Sequence, residues 1–411
     1  AQARAVDTLD ELADQAVKAN PSLVALEHQA EALDAKARGV RRWMDPMLAV
    51  EYSNFPVDSW ALGDTMMTGI QLKLIQKFPF PGKNDRREAV ALAEAEAKRL
   101  EREEAVVQLR AAVKRGALSL ALVRQLKQLT VRHIAVIEQL RERVRLRYEV
   151  GKGNQKDVLQ LNVLHQQLTD EIEEFDRKDA EITATINRAL HRDVRTPIDP
   201  PAEIAVSSAD LDLARLIALA EEHRPALKVI EQRARVSRLN ADRVEWEQRP
   251  DFSVWIGYRI RVEAGMDDGT DFMSLGASIP IPFDYTNSTN GKKAQHLAMA
   301  AAADEMRAAA LDGIASDLER SLATWLRALS KERNYKEQLV PEGQRSLEAS
   351  LTAYETGRAD FSSIFRAELD LIRFERTIRV ARVEAAQAKV AVEALVGAPI
   401  DQAVLVAKEA K

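Results

Sequence analysis

Two periodicities alternate along this chain, and they do so twice. Between Met47 and Pro56, Leu48, Val50 and Tyr52 fall on one side of a period-two pattern and Ala49, Glu51 and Ser53 on the other. Thr68, Ile70, Leu72 and Leu74 oppose Gly69, Gln71 and Lys73 in the same way. Later, Phe252, Val254, Ile256, Tyr258, Ile260 and Val262 oppose Ser253, Trp255, Gly257, Arg259 and Arg261. Met273, Leu275, Ala277 and Ile279 then oppose Ser274, Gly276 and Ser278. Strict alternation predicts strands with one apolar and one polar face. Most of the remainder has helical spacing. Leu122, Leu126, Leu129, His133, Ile137, Leu140 and Val144 step by three and four, a near-heptad seam with one stutter.

The same order of elements is predicted in each half. Residues 1–198 read as two opening helices, strands 47–56 and 66–76, a long helix 84–147 and a return helix 154–190. Residues 199–411 repeat the plan, with strands 252–262 and 272–281, a long helix 292–353, a return helix 360–395 and a C-terminal tail. Two turns mark the repeat most clearly: Tyr148-Glu149-Val150-Gly151-Lys152 and, 206 residues later, Tyr354-Glu355-Thr356-Gly357-Arg358. A glycine just past a helix end takes positive φ without steric cost. Asn20-Pro21 and Arg224-Pro225 share an offset of 204, as do Pro46 and Pro250. Landmarks in a constant order indicate tandem duplication. The halves meet at Arg195-Thr196-Pro197-Ile198-Asp199-Pro200-Pro201, too proline-rich for helix. A helix of 64 residues would extend ~96 Å, and two shorter helices stacked end to end would match it. The expected packing is a rod-like antiparallel bundle.

Composition agrees. Of 411 residues, 30 % are charged and 5 % aromatic, which suits long helices. A net charge of −5 offers no basic field for nucleic acid, and the absence of Cys excludes disulfides and thiolate chemistry. No apolar run is long enough for a transmembrane helix. Ala1-Gln2-Ala3 shows no signal segment, which fits either a cytosolic protein or a mature secreted one.

The strands fit two environments, a soluble sheet on its own core or a membrane barrel with lipid outside and water within. Their length of about 9–11 residues suits a tilted bilayer crossing. Glu51, Lys73, Arg259 and Arg261 on the polar face suit a wet lumen. Of 21 aromatics, 13 lie in residues 43–80 and 246–285. Trp43, Phe78, Phe80, Trp246, Phe283 and Tyr285 flank one end of the strands, and Phe55, Trp60 and Phe272 the other, like two interfacial girdles. The barrel is the favoured reading. Four strands cannot close one, since the smallest membrane barrels need about eight, so several copies must pool strands.

These features together resemble the TolC-like outer-membrane efflux ducts. Gln76-Lys77-Phe78-Pro79-Phe80-Pro81-Gly82-Lys83 is similar to a signature of the heavy-metal (CzcC and CusC type) branch, and Ile279-Pro280-Ile281-Pro282-Phe283 with Asn290-Gly291 to its second-half equivalent. The resemblance implies a mainly α fold with a small β part, four strands per chain entering the 12-stranded barrel of a homotrimer above a helical periplasmic tunnel. It implies a mature chain in the outer membrane of a Gram-negative bacterium, passively conducting substrates, heavy-metal cations by branch, from an inner-membrane RND-type pump and a periplasmic adaptor (membrane fusion) protein. Tyr148, Gly151, Tyr354 and Gly357 would form adaptor-docking turns, and Asp157, Tyr354, Arg358 and Asp360 the gated constriction. Where the family often carries acidic residues beyond the second turn, this chain has Ser363 and Arg366.

The rival reading is a soluble or peripheral coiled-coil scaffold or adaptor, extractable without detergent. An enzyme finds little support. The six His have no HxxxH or HExxH spacing, and no cofactor is expected. His133 reads as a packed seam residue rather than a ligand. Gly82-Lys83 and Gly291-Lys292 lack the upstream glycine of a phosphate loop, and Asp267-Asp268-Gly269-Thr270-Asp271 lacks the ligand spacing of a calcium loop and reads as a hairpin tip.

Overall fold

A computed structural model describes residues 8–201, 204, 211–281 and 286–400. Pro282, Phe283, Tyr285, Ala1 to Ala3 and the C-terminal tail from 401 lie outside the described residues. The opening helices are α1 (Leu9–Ala19) and α2 (Pro21–Val40), repeated as α5 (Leu213–His223) and α6 (Pro225–Glu247). A capping box starts α1: Glu11 N–H donates to Thr8 Oγ1 at 3.2 Å, and Thr8 N–H to Glu11 Oε2 at 2.9 Å. Both short helices end alike. Asn20 N–H donates to Ala16 O at 3.0 Å and Arg224 N–H to Ala220 O at 2.9 Å, each before a proline suited to opening the next helix.

The long elements are α3 (Lys83–Glu149) and α4 (Gln155–Ala189), then α7 (Thr286–Asn334), a π-helical turn Tyr335–Leu339, α8 (Val340–Glu355) and α9 (Phe361–Val396). The second long helix is therefore not continuous, as its spacing suggested. Pro341 has no N–H to offer the carbonyl four residues earlier, and the chain widens by one residue just before it.

The strands are β1 (Met47–Ser53), β2 (Gly69–Phe78), β3 (Phe252–Ile260) and β4 (Phe272–Ser278). Three end earlier than the alternation suggested, for local reasons. Asn54 takes a left-handed φ of 57°, and its carbonyl accepts from the hydroxyls of Thr65 and Thr68 instead of a ladder partner. Arg261 N–H donates to the Asp271 carboxylate at 3.0 Å, and Pro280 cannot extend β4 as a donor.

Compactness cuts across the duplication. One unit comprises residues 1–25, 102–227 and 309–411, and the other 26–101 and 228–308, so each takes matching pieces of both repeats. The first unit has aliphatic cores along its helices, one around Ile137, Val144, Leu161 and Ile364, another around Leu12, Leu120 and Ile186. Of the near-heptad seam, Leu129, His133, Ile137, Leu140 and Val144 are buried and Leu122 and Leu126 half-buried. The second unit buries small residues instead, with Ala30, Ala37, Ala91, Ala95, Ala234 and Ala241 letting helices approach closely. It also contains the whole sheet.

Candidate functional site

All four strands form one antiparallel sheet in the order β1-β2-β3-β4, so the two repeats meet through β2 and β3. The register aligns Leu48, Leu74, Ile256 and Leu275 in one row, and Val50, Leu72, Tyr258 and Met273 in the next. The first row is 70, 49, 44 and 77 % exposed. A soluble sheet hides such a face; this one presents it. The opposite face is polar and bonded within itself. Lys73 pairs with Glu51 and lies over the Trp255 ring, Gln71 donates to Ser274 Oγ at 3.1 Å, and Arg259 donates to Gln71 Oε1 at 3.3 Å. Amide and hydroxyl groups crowd Gly257: a Cβ there would lie 2.8 Å from Gln71 Nε2 and from Ser274 Oγ.

Arg261 has a different place from the one its parity suggested. It lies beyond the end of β3, its guanidinium gripped by Asp267 at 2.8 and 3.1 Å and by Thr270 O at 2.8 Å, above the Phe272 ring. It fastens the β3–β4 connection rather than adding charge to the strand face. The acidic run 267–271 is the tip of that hairpin, as its spacing suggested.

Aromatic clusters flank both ends of the sheet. At one end Trp43 meets Phe78 edge-on with centroids 5.0 Å apart and Phe78 stacks on Phe252 at 5.3 Å, and Tyr52, Phe55 and Trp60 stack at the other. Trp246 and Phe80 are not on that surface. They build a joint where β2 runs into α3 and α6 into β3. Arg86 and Arg249 both lie over Trp246, with their guanidinium carbons 4.1 and 3.5 Å from its ring centroid. Gly82 sits against the indole with φ 91°, and a Cβ there would fall 2.6 Å from it. Lys83, 4 % exposed, donates to Asp251 at 2.8 Å, while the same Asp251 oxygen accepts from Phe80 N–H at 3.1 Å. Burial alone would raise the Asp251 carboxyl, but the bonds from Lys83 and the Phe80 N–H, with the charges of Lys83 and Lys77, together outweigh it, so it lies below the usual range. The Pro-Gly-Lys segment thus has a structural explanation.

The two Tyr–Glu–x–Gly turns are backbone twins. Gly151 N–H donates to Tyr148 O at 2.9 Å and Lys152 N–H to Arg147 O at 2.8 Å. Gly357 N–H donates to Tyr354 O at 3.0 Å and Arg358 N–H to Ala353 O at 2.8 Å. Both glycines have positive φ, 72° and 73°. This is the paired bonding by which a helix closes its last carbonyls. The side chains differ. Tyr148 is exposed, whereas Tyr354 is buried on Phe361 and Ile364, under the Arg147 guanidinium at 4.3 Å. Arg143 of α3 reaches Glu355 at 3.2 Å, so the turns lie side by side. The Tyr354 hydroxyl is buried without a hydrogen-bond partner among the described residues. Asp157 is near enough to be felt, but the two do not bond. Burial pushes Asp157 up, Lys156 and the Asn154 backbone pull it down, and Asp360 adds repulsion, leaving its carboxyl above the usual range. Arg358 and Asp360 are exposed, and Asp360 caps α9 without a side-chain bond.

One buried cluster escaped sequence reasoning. His133 Nδ1 lies 2.9 Å from Glu368 Oε1, and Nε2 3.6 Å from Glu375, with the His133 and Glu368 side chains 7 and 2 % exposed. The seam spacing marked His133 as packed; nothing in the sequence paired it with a glutamate 235 residues away. Among the described residues, no group of His, Cys, Asp and Glu could hold a metal ion, and no helix is long and apolar enough to cross a membrane.

The family model described as outer membrane efflux protein matches residues 12–188. The fold is shared with solved structures across both repeats. VceC, an outer membrane protein from Vibrio cholerae, is 16 % identical with a TM-score of 0.78, covering 95 % of this chain and 96 % of that one. CusC, described with transmembrane channel formation, is 13 % identical at 0.78, covering 96 % and 92 %. The open-state MtrE outer membrane channel of Neisseria gonorrhoeae is 16 % identical at 0.75, covering 97 % and 93 %. No curated protein sequence matches the chain.

Proposed function

We propose, from the match of residues 12–188 to the outer membrane efflux protein family and from the shared TolC-like fold, that this chain is the exit duct of a tripartite efflux system. That similarity supports a passive outer-membrane conduit rather than an enzyme. The observation that carries the finer reading is the sheet whose apolar face is the exposed one. Its area needs an apolar solvent, and its two outer strands, β1 and β4, have free edges among the described residues. Three copies would close a 12-stranded barrel, edge to edge, with Glu51, Lys73 and Arg259 inward. The scaffold reading has no use for such a face.

In this reading the twin turns around Gly151 and Gly357 dock a periplasmic adaptor, which passes cargo from an RND-type pump. Asp157, Tyr354, Arg358 and Asp360 form the constriction. What supports the gate is the unpartnered Tyr354 hydroxyl near the half-buried Asp157 carboxyl, whose pKa is raised: a rearranged or assembled tip could give the hydroxyl a partner. Heavy-metal cations are the finer substrate assignment, supported by the similarity of Gln76 to Lys83, a segment that also serves as a joint. Native mass spectrometry in detergent, with a heat-modifiable band on gels, tests the duct. A monomer stable in detergent-free buffer would refute it. Restored metal resistance, but not dye resistance, in an efflux-deficient strain supplied with the cognate pump and adaptor tests the substrate.

A further inference from the structure

We propose that the groove where α3, α9 and the π-helical turn meet binds a small oligoanion, one carrying several closely spaced phosphate or carboxylate groups. The groove has a volume of about 830 Å³. Lys127 and Arg132 line it from α3, Lys336 from the π-helical turn, and Arg379 and Arg382 from α9, with Glu375 the one acid among the lining residues. Not all of these charges are available. Lys127 pairs with Asp176, and Arg382 with Glu332. Glu375 is engaged in turn by His133.

Three cations are left over. Arg132 and Lys336 have no carboxylate within ion-pair range among the described residues, and Arg379 donates only to the Glu375 backbone carbonyl, at 2.7 Å. Each comes from a different segment, and they converge on one open space. The plain alternative is a set of solvated surface charges. Arg379 argues against it, being half-buried among like charges. Burial pushes its guanidinium down, Glu375 pulls the other way, and Arg132 and Arg382 push down again. Packing like charges together costs energy that a bound anion would return. Guanidinium forks match phosphate and carboxylate oxygens two at a time, and a compact ammonium adds a third point of charge. The π-helical turn is itself a form enriched at functional sites. A ligand here would tie that turn to α3 and α9. The site does not depend on the conduit reading.

The test uses the full chain purified in detergent at low ionic strength, titrated calorimetrically with tripolyphosphate and, separately, with citrate. Saturable binding of one probe molecule per chain is expected. The Arg132→Gln/Lys336→Gln double variant, altered only at exposed positions, should bind roughly tenfold more weakly or worse, as loss of charge-assisted bonds implies. Arg345→Gln, outside the groove, should bind as the parent does. Stronger tripolyphosphate binding assigns phosphate chemistry, and stronger citrate binding assigns carboxylates. No saturable binding of either probe overturns the proposal, as does equal binding by the double variant or equal loss in Arg345→Gln.

Discussion

An arginine at Ile256 distinguishes lipid from water outside the sheet by the size of its effect. Ile256 lies at the middle of β3, in the row with Leu48, Leu74 and Leu275, and its side chain is 44 % exposed. If that face meets water, Ile256→Arg is an ordinary surface change, within about ±0.5 kcal/mol. If it meets hydrocarbon, the charge sits near the bilayer midplane at a cost of ~2–4 kcal/mol per chain. At 1.4 kcal/mol per tenfold, that is a shift of roughly 30- to 700-fold in the folding equilibrium. The two expectations do not overlap. The assay is urea unfolding of the chain in phosphatidylcholine vesicles, followed by tryptophan fluorescence and heat-modifiability. Ala49→Glu is the control, because Ala49 pairs with Lys73 on the polar face, where a carboxylate finds water and a cation. The expected result is a large loss for Ile256→Arg and little change for Ala49→Glu. Equal, small effects for both would refute the lipid-facing assignment.

At the joint, Gly82→Ala meets both a positive φ and the Trp246 ring, so it should destabilise by ~1–3 kcal/mol, read as a lowered denaturation midpoint. For His133, burial lowers its affinity for protons, but hydrogen bonds to Glu368 and Glu375 outweigh burial and leave its pKa raised. Its contribution to stability is then complete below about pH 6.5 and disappears as pH rises through the raised value. Glu375, lowered chiefly by its bond to His133, contributes above about pH 4.5 and loses that contribution as pH falls. A denaturation series should therefore show a maximum between these limits, and His133→Gln should flatten its alkaline side. Tyr354→Phe removes a buried, unpartnered hydroxyl, so it should leave thermal stability unchanged or raised by ~1 kcal/mol. If the assembled tip uses that hydroxyl as a latch, Tyr354→Phe with Asp157→Ala also raises planar-bilayer conductance; unchanged conductance removes these two residues from the gate.

Local chemistry was legible in the sequence, and long-range pairing was not. Alternation identified which strand residues share a face, because side-chain parity in a strand depends on nothing distant. Parity also misplaced Arg261. Alternation continues through it, but the strand had already surrendered its backbone to Asp271, a side chain ten positions away. The helix pattern likewise ran smoothly past Pro341, whose missing donor changes the hydrogen-bond register and not the hydrophobic spacing. The pairings His133–Glu368 and Lys83–Asp251 cross 235 and 168 residues. No periodicity contains them, because they depend on which helix lies against which strand or helix.

The recurring order of elements in the two halves shows which local features they share and which they do not. Both turns keep Tyr, Glu and Gly, and their backbones close with matching bonds, because the left-handed glycine and the paired carbonyl contacts leave few alternatives. The helices that follow differ. Asn154 caps α4 with its side-chain oxygen on Lys156 N–H at 3.0 Å, whereas Asp360 begins α9 without such a bond and leaves its charge exposed. A neutral, satisfied cap in one repeat and a charged one without a side-chain bond in the other place a capping charge on the second turn only, close enough to Asp157 to raise its pKa. Backbone geometry holds both turns, while charge distinguishes them. Substituting Asp360→Asn should therefore leave the second turn folded and relieve Asp157 of one source of repulsion. The Asp157 carboxyl should then titrate lower, as followed by carboxyl-selective NMR. An unchanged titration would mean that the two acids do not sense each other across the turns.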